Sequence, residues 1–197
     1  LVNLVNEMQV GNQCEVITPY GNTEPYSVGR GVRQGCPMSP LLFSLFIDPC
    51  LRWLERDNGY SIVKGKQKID ISLLAFADDI SILGGSFGNL KQKWEKMVRF
   101  CNASGLMISN DGKSKDKTVY THNEKDNNGN LKSYKLFTDV EEKKPIPVLK
   151  PSESYKYLGV LVNLELNWSH QTDTTEKKLI QQLNYIKCRA FDERQLV

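Results

Sequence analysis

The stretch Leu73-Leu74-Ala75-Phe76-Ala77-Asp78-Asp79-Ile80-Ser81-Ile82-Leu83 decides the fold. The apolar runs Ile69–Ala77 and Ile80–Leu83 are separated only by two aspartates, the spacing of two strands joined by a two-residue turn. That reading puts Asp78 and Asp79 at the tip of a hairpin. Like charges held side by side repel, and a divalent cation removes the conflict. Mg²⁺ takes carboxylate and phosphate oxygens, and two such ions ~3.5–4 Å apart serve phosphoryl transfer. An Asp-Asp pair is also a common solvated turn, and the dipeptide alone does not separate the two readings.

Working outward, Gly84-Gly85 precede a helix that Asn89 can start, with Leu90, Trp94, Met97, Val98 and Cys101 at helical spacing and Gly105 near its end. Its polar face is expected to carry Lys91, Lys93 and Lys96. Upstream, Ser39 can cap a helix with Pro40 in its first turn. Leu41, Leu42, Leu45, Phe46, Leu51 and Leu54 recur on it to about Arg56, and Pro49 opposes the carbonyl of Leu45. Further upstream, Cys14–Val32 reads as a hairpin around Thr18–Asn22.

Downstream, Asp111–Lys117 carries lysines at every second position, and His122–Asn130 is a polar stretch expected to be a loop insertion. Tyr134–Phe137, Ile146–Leu149 and Tyr155–Leu164 supply short strands. Ser169–Ala190 is a polar helix with Leu179, Ile180, Leu183 and Ile186 on one side. Strands and helices interleaved around an antiparallel hairpin predict an α+β class.

Composition narrows the function classes. Of 197 residues, 40% are hydrophobic and 25% charged, which suits one sizeable core. A formal charge of +3 is too small to mark a polybasic binder. The densest apolar run, Leu41–Ile47, falls short of the roughly 18–20 residues of a membrane helix. Cys14, Cys36, Cys50, Cys101 and Cys188 are scattered, form no C-x-x-C pair and have only His122 and His170 for company. A zinc finger or disulfide framework is disfavoured and a reducing, intracellular setting expected, with nucleus and cytoplasm left open.

Arg33-Gln34-Gly35-Cys36-Pro37-Met38-Ser39-Pro40-Leu41-Leu42-Phe43, followed later by Phe76-Ala77-Asp78-Asp79, resembles the palm of reverse transcriptases, most closely that of LINE-type non-LTR retrotransposons. The resemblance continues through Gly105-Leu106, a lysine-bearing segment and Tyr155-Lys156-Tyr157-Leu158-Gly159-Val160, so it covers nearly the whole chain. It implies a polymerase-type α+β palm, an antiparallel sheet packed on helices, over residues 1–165. The helix over 166–197 would begin the thumb. By this resemblance Asp78 is the principal metal ligand and Asp79 the secondary one, with two Mg²⁺ ions in the complete enzyme and Mn²⁺ as a substitute.

Arg33, Gln34, Gly35, Pro37 and Ser39, with Phe76 and Ala77, would lie along the incoming nucleotide and templating base. In residue terms, Gly35 permits close backbone approach and Arg33 offers a fork of donors to phosphate. An ammonium downstream would aid the leaving pyrophosphate. Asn110 stands one place late for the family's pattern. Both Lys113-Ser114 and Lys117-Thr118 fit the lysine, and the strand-like Thr118–Thr121 favours Lys117. Tyr157, Leu158 and Gly159 would grip the primer.

The family also carries a metal-binding aspartate upstream of the Arg-Gln-Gly segment, and neither Glu7 nor Glu15 has its neighbours. The fingers and that first carboxylate are therefore expected outside this sequence, which leaves the piece inactive alone. Its complete form would add deoxynucleotides to a DNA 3′ end on an RNA template. Template RNA, DNA primer, deoxynucleoside triphosphates and the upstream part of the same polypeptide would be its partners. Two other readings stay open: a catalytically inactive remnant or nucleic-acid-binding module of a decayed retroelement, and another RNA-directed polymerase such as a maturase.

Overall fold

The computed structural model describes residues 2–29, 31–57, 59–110, 117–139 and 144–192. The chain divides into two units, Leu1–Arg52 and Trp53–Val197.

The first unit opens with α1 (Val2–Gln9) and continues into a nested hairpin. In it β1 (Gln13–Cys14) pairs antiparallel with β4 (Tyr26–Ser27), and β2 (Ile17–Thr18) pairs with β3 (Gly21–Asn22). The Thr18 hydroxyl closes the tip, donating to the Gly21 carbonyl at 2.7 Å and accepting from the Tyr20 amide at 3.2 Å. This is the hairpin the turn residues predict. Helix α2 (Ser39–Glu55) follows, with Pro40 in its first turn, and runs on through Pro49.

The buried stripe of α2 is not the one the leucines suggest. Ile47, Cys50 and Leu54, at i, i+3 and i+7, are buried, whereas Leu41 and Leu45 are 60% and 63% exposed. Ser44, Asp48, Arg52 and Glu55 recur on one face of α2 with Leu41 and Leu45 beside them, and the buried residues lie on the side away from that polar face.

The second unit takes in the last turn of α2 and then a hairpin of two five-residue strands, β5 (Tyr60–Lys64) and β6 (Gln67–Ile71), turning at Gly65-Lys66. The predicted long strand from Ile69 is interrupted at Ser72. A second hairpin follows, β7 (Leu73–Phe76) and β8 (Asp79–Ile82). Helix α3 (Phe87–Ser104) starts at Phe87 because the Ser86 hydroxyl, not Asn89, caps it, accepting from the Asn89 amide at 3.3 Å. It ends at Gly105, whose φ of +71° closes the helix in the left-handed conformation.

Beyond it, β9 (Tyr120–Thr121) pairs parallel with β10 (Val148–Leu149), and β11 (Tyr155–Tyr157) pairs antiparallel with β12 (Val160–Val162). Helix α4 (Ser169–Asp192) closes the described chain and is tied to β12 where the Leu161 amide donates to Gln171 Oε1 at 2.8 Å.

The mixed α+β class stands, but the single antiparallel sheet does not. Among the described residues there are six two-stranded sheets, one of them parallel. The strands are two to five residues long and most pair only with their neighbour in sequence. Tyr134–Phe137 forms no strand beyond a bridge between Phe137 and Pro145. The backbone there serves the core instead: Tyr120 Oη donates to the Tyr134 carbonyl at 2.6 Å, and Trp94 Nε1 to the Phe137 carbonyl at 2.7 Å. Tyr120, Leu136 and Ile146 form that core, with Phe87, Leu90 and Trp94 against it.

The segment 122–130 is a loop closed by its own hydrogen bonds. Asp126 Oδ1 accepts from the amides of Asn128 and Asn130, and Lys125 bridges Leu131. Glu124 fastens it to the start of α3, accepting from the Phe87 amide and the Tyr134 hydroxyl, each at 2.6 Å. Local Asx hydrogen bonds supply the order that its composition hides. Among the described residues no helix is long and apolar enough to cross a membrane.

Candidate functional site: an acidic hairpin

The register of the β7–β8 hairpin pairs Phe76 with Asp79, so the two turn residues are Ala77 and Asp78. The turn thus sits one residue earlier than the Asp78-Asp79 tip read from the sequence. Ala77 holds φ at +52°, in the left-handed region, where an L-residue with a Cβ is strained. Asp79 is thereby freed to enter the ladder. Asp78 lies in the loop and Asp79 at the first position of β8, both exposed, with Phe76 66% exposed across the strand from Asp79. Cross-strand partners project from one face, so Phe76 and Asp79 share it.

Neither aspartate enters an ion pair among the described residues. Nor, among the same residues, do three or more His, Cys, Asp or Glu side chains gather into a cluster. The donor set is therefore two adjacent, unneutralised carboxylates. Hard oxygen donors of this kind suit a divalent cation that keeps several of its waters.

Tyr155 of β11 reaches this neighbourhood. Burial first, and the nearby Asp79 carboxylate second, hold its phenol above the ordinary pKa. Its hydroxyl donates to the Lys117 carbonyl, which brings Lys117 to the same side while its side chain stays exposed. Lys113, the alternative lysine, lies outside the described residues. The β11–β12 turn is Leu158-Gly159, with φ of +48° and +87°, between the paired Tyr157 and Val160. Positive φ at both central residues is the pattern of a tight hairpin turn matched to strand twist.

In the first unit, residues 33–39 form a compact turn into α2. Ser39, buried, donates from its hydroxyl to the Arg33 carbonyl at 2.6 Å, and the Cys36 amide reaches the same carbonyl at 3.3 Å. Gln34, Gly35 and Pro37 are exposed. One arm of the Arg33 guanidinium is held by Asn12 Oδ1, which leaves its remaining donors outward. Gly35 has φ of +84° and open space where a Cβ would stand, so backbone conformation is what calls for glycine there. The Cys36 thiol is held below its ordinary pKa, chiefly by the Met38 amide, with Ser39 and the Arg33 charge adding against burial.

Lys93, expected on the polar face of α3 with Lys91, is fully buried. Its position was available in the spacing, since it falls three residues after Leu90 and four before Met97, inside the apolar stripe of α3.

Comparison with known proteins agrees with the motifs. The family model described as "Reverse transcriptase (RNA-dependent DNA polymerase)" matches residues 5–162. The chain is 35% identical over 146 residues to a Pol polyprotein from a type-1 retrotransposable element R2 of Nasonia vitripennis, covering 68% of this chain and 12% of that protein. It is 30% identical over 147 residues to the R2DM Pol polyprotein of Drosophila melanogaster, covering 71% and 12%. It is 32% identical over 108 residues to the transposon TX1 149 kDa protein of Xenopus laevis, covering 55% and 8%. The chain therefore spans about a tenth of the length of these curated relatives. With the family model matched across most of its length, the chain belongs to the reverse transcriptase (RNA-dependent DNA polymerase) family.

Proposed function

We propose that this chain works within an RNA-directed DNA polymerase that adds deoxynucleotides to a DNA 3′ end on an RNA template, and that Asp78 and Asp79 are its metal-holding carboxylates. The observation that carries the reading is the hairpin tip at Ala77-Asp78, which presents two neighbouring, unpaired carboxylates inside the family-matched residues. Mg²⁺, or Mn²⁺ on the same donors, would stabilise the attacking and leaving oxygens of the transferred phosphoryl group.

The protein's own part is positioning. Asp78, free of the ladder, is the principal ligand, and Asp79 is the secondary one because β8 pairing fixes its direction. Phe76, on the Asp79 face, and Ala77 border the reacting phosphates. Arg33, Gln34, Gly35 and Pro37 meet the nucleotide and template, the exposed Arg33 guanidinium donating to phosphate, while the buried Ser39 hydroxyl braces their turn. Lys117 supplies positive charge near the leaving group. The rigid Leu158-Gly159 turn, with Tyr157, holds the primer backbone. Residues 1–165 form the partial palm, and the helix at 169–192 begins the thumb. Template, primer and deoxynucleoside triphosphates are the partners.

The test is primer extension by a polymerase that contains this chain together with its upstream region. Asp78→Asn should lower the rate at least about a hundredfold, since metal stabilisation is worth several kcal/mol and 1.4 kcal/mol is tenfold. Asp79→Asn should cost less. A variant at Asp78 that extends primers within about tenfold of the parent refutes the assignment.

A further inference from the structure

The acidic hairpin needs its tip held in a fixed direction, and its base is held by a side chain that nothing about a solvated helix face would place there. Lys93 of α3 is buried, and its Nζ donates to the Leu83 carbonyl at 2.8 Å and the Ser72 carbonyl at 3.3 Å. Those carbonyls bracket the hairpin: Ser72 precedes β7, Leu83 follows β8, and the Leu83 amide itself donates to the Ser72 carbonyl at 2.9 Å. Ser72 is held in turn, its hydroxyl donating to the Asp57 carbonyl at 3.0 Å. Asp57 Oδ1 accepts from Lys96 Nζ at 2.7 Å, Lys96 lies 5.3 Å from the Trp53 ring centroid, and Asp57 Oδ2 is buried without a partner.

We propose that Lys93 is a positioning residue, its ammonium clamping both ends of the β7–β8 hairpin and so aiming Asp78 and Asp79. The proposal rests on the reading of that pair as metal ligands. A buried ammonium is costly, and here two carbonyl bonds at the ends of the hairpin offset that cost. The same two bonds fix direction: Asp79 lies four residues from Leu83, or ~13 Å at the usual strand rise, so tilting the base by about 5° moves its carboxylate ~1 Å. A displacement of about 1 Å at a reacting centre costs on the order of a hundredfold in rate. Burial lowers the Lys93 pKa, Asp57 opposing and Lys96 adding, and the two carbonyl bonds are what keep it in place.

The experiment has two arms. In the 197-residue chain, hydrogen exchange is followed in Lys93→Met and Lys93→Gln. The amides of Leu83 and β8 should exchange about tenfold faster, while those of Val98 and Cys101 in the middle of α3 keep their protection. In the extended polymerase, Lys93→Met should lower kcat at least about tenfold and raise the Mn²⁺ concentration for half-maximal rate, with KM for the nucleotide within about twofold. Unchanged exchange or unchanged kcat and metal dependence overturns the clamp. Unfolding of both variants overturns it too, because the lysine would then be a core residue and no more. If the hairpin loosens as expected but Asp78→Asn still extends primers, the clamp stands and the metal-ligand reading fails.

Discussion

Ala77 is the point at which backbone strain and the acidic tip coincide, and changing it should move stability and activity in opposite directions. An L-residue in the left-handed region costs roughly 1–2 kcal/mol, and Ala77 sits there at φ +52°. Ala77→Gly removes that cost but adds about 0.5–1 kcal/mol of unfolded-state entropy, leaving a gain of about 0.5–1 kcal/mol. The side chain is exposed, so no packing is lost. Ala77→Val should instead lose about 1–2 kcal/mol, since a β-branched residue at positive φ is a genuine outlier. For a chain of 197 residues each kcal/mol moves Tm by about 2–4 °C, so glycine should raise it by about 1–4 °C and valine lower it by about 2–8 °C. Primer extension should fall in the glycine variant although the protein is more stable, because the turn no longer fixes Asp78. Thermal melts of the three chains, with extension rates of the same variants in the polymerase that includes the upstream region, test both halves. A valine variant as stable as the parent would refute the positive-φ turn at Ala77, and a glycine variant that is stabilised and fully active would refute the link from strain to aim.

Two further outcomes follow from contacts around α3. The Tyr134 hydroxyl, then the Phe87 amide, with Lys132 and His122 adding against burial, hold the Glu124 carboxyl below its ordinary pKa. A carboxylate depressed in the folded state contributes stability above its unfolded pKa and loses it as pH falls through the folded one. Tm of the parent should therefore drop more than that of Glu124→Gln between neutral pH and about pH 3, and parallel curves would count against the tie. Gly84→Ala would place a Cβ 2.7 Å from the Leu90 amide nitrogen and 3.1 Å from its Cα, both backbone atoms. It should cost about 1–3 kcal/mol in a urea melt, and a cost under about 0.5 kcal/mol would mean that α3 moves away from the hairpin easily.

What could be read from the residues alone follows from how local each cause is. Helix α3 and the β7–β8 hairpin were legible because their periods lie within a dozen residues, and the hairpin at 13–27 because Thr18–Asn22 is a turn in any context. The β5–β6 hairpin escaped because all but one of its residues are exposed, so no buried face imprints an alternation on Tyr60–Ile71. In α2 the leucines by themselves mislead, because Leu41 and Leu45 fall beside Ser44, Asp48 and Arg52, and it is this polar face that points to the buried stripe on the side away from it.

The site shows the same division. Two adjacent carboxylates between apolar runs mark Asp78-Asp79 as a candidate cation site, and the Arg33–Phe43 motif upstream is what separates that reading from a solvated turn. The direction of that pair is another matter, because it depends on carbonyls at Ser72 and Leu83 and on an ammonium from α3 that reaches both. A lysine flanked by Leu90, Trp94 and Met97 is ambiguous until those carbonyls are placed: it is either a long side chain turned out to water or a buried donor with work to do. Its period favours the second and its polarity the first. Here the period prevails, because the two hydrogen bonds offset the loss of hydration that would otherwise turn the chain outward. Polar residues that break an apolar stripe at helical spacing are therefore worth testing as donors to a neighbouring strand end before they are assigned to solvent.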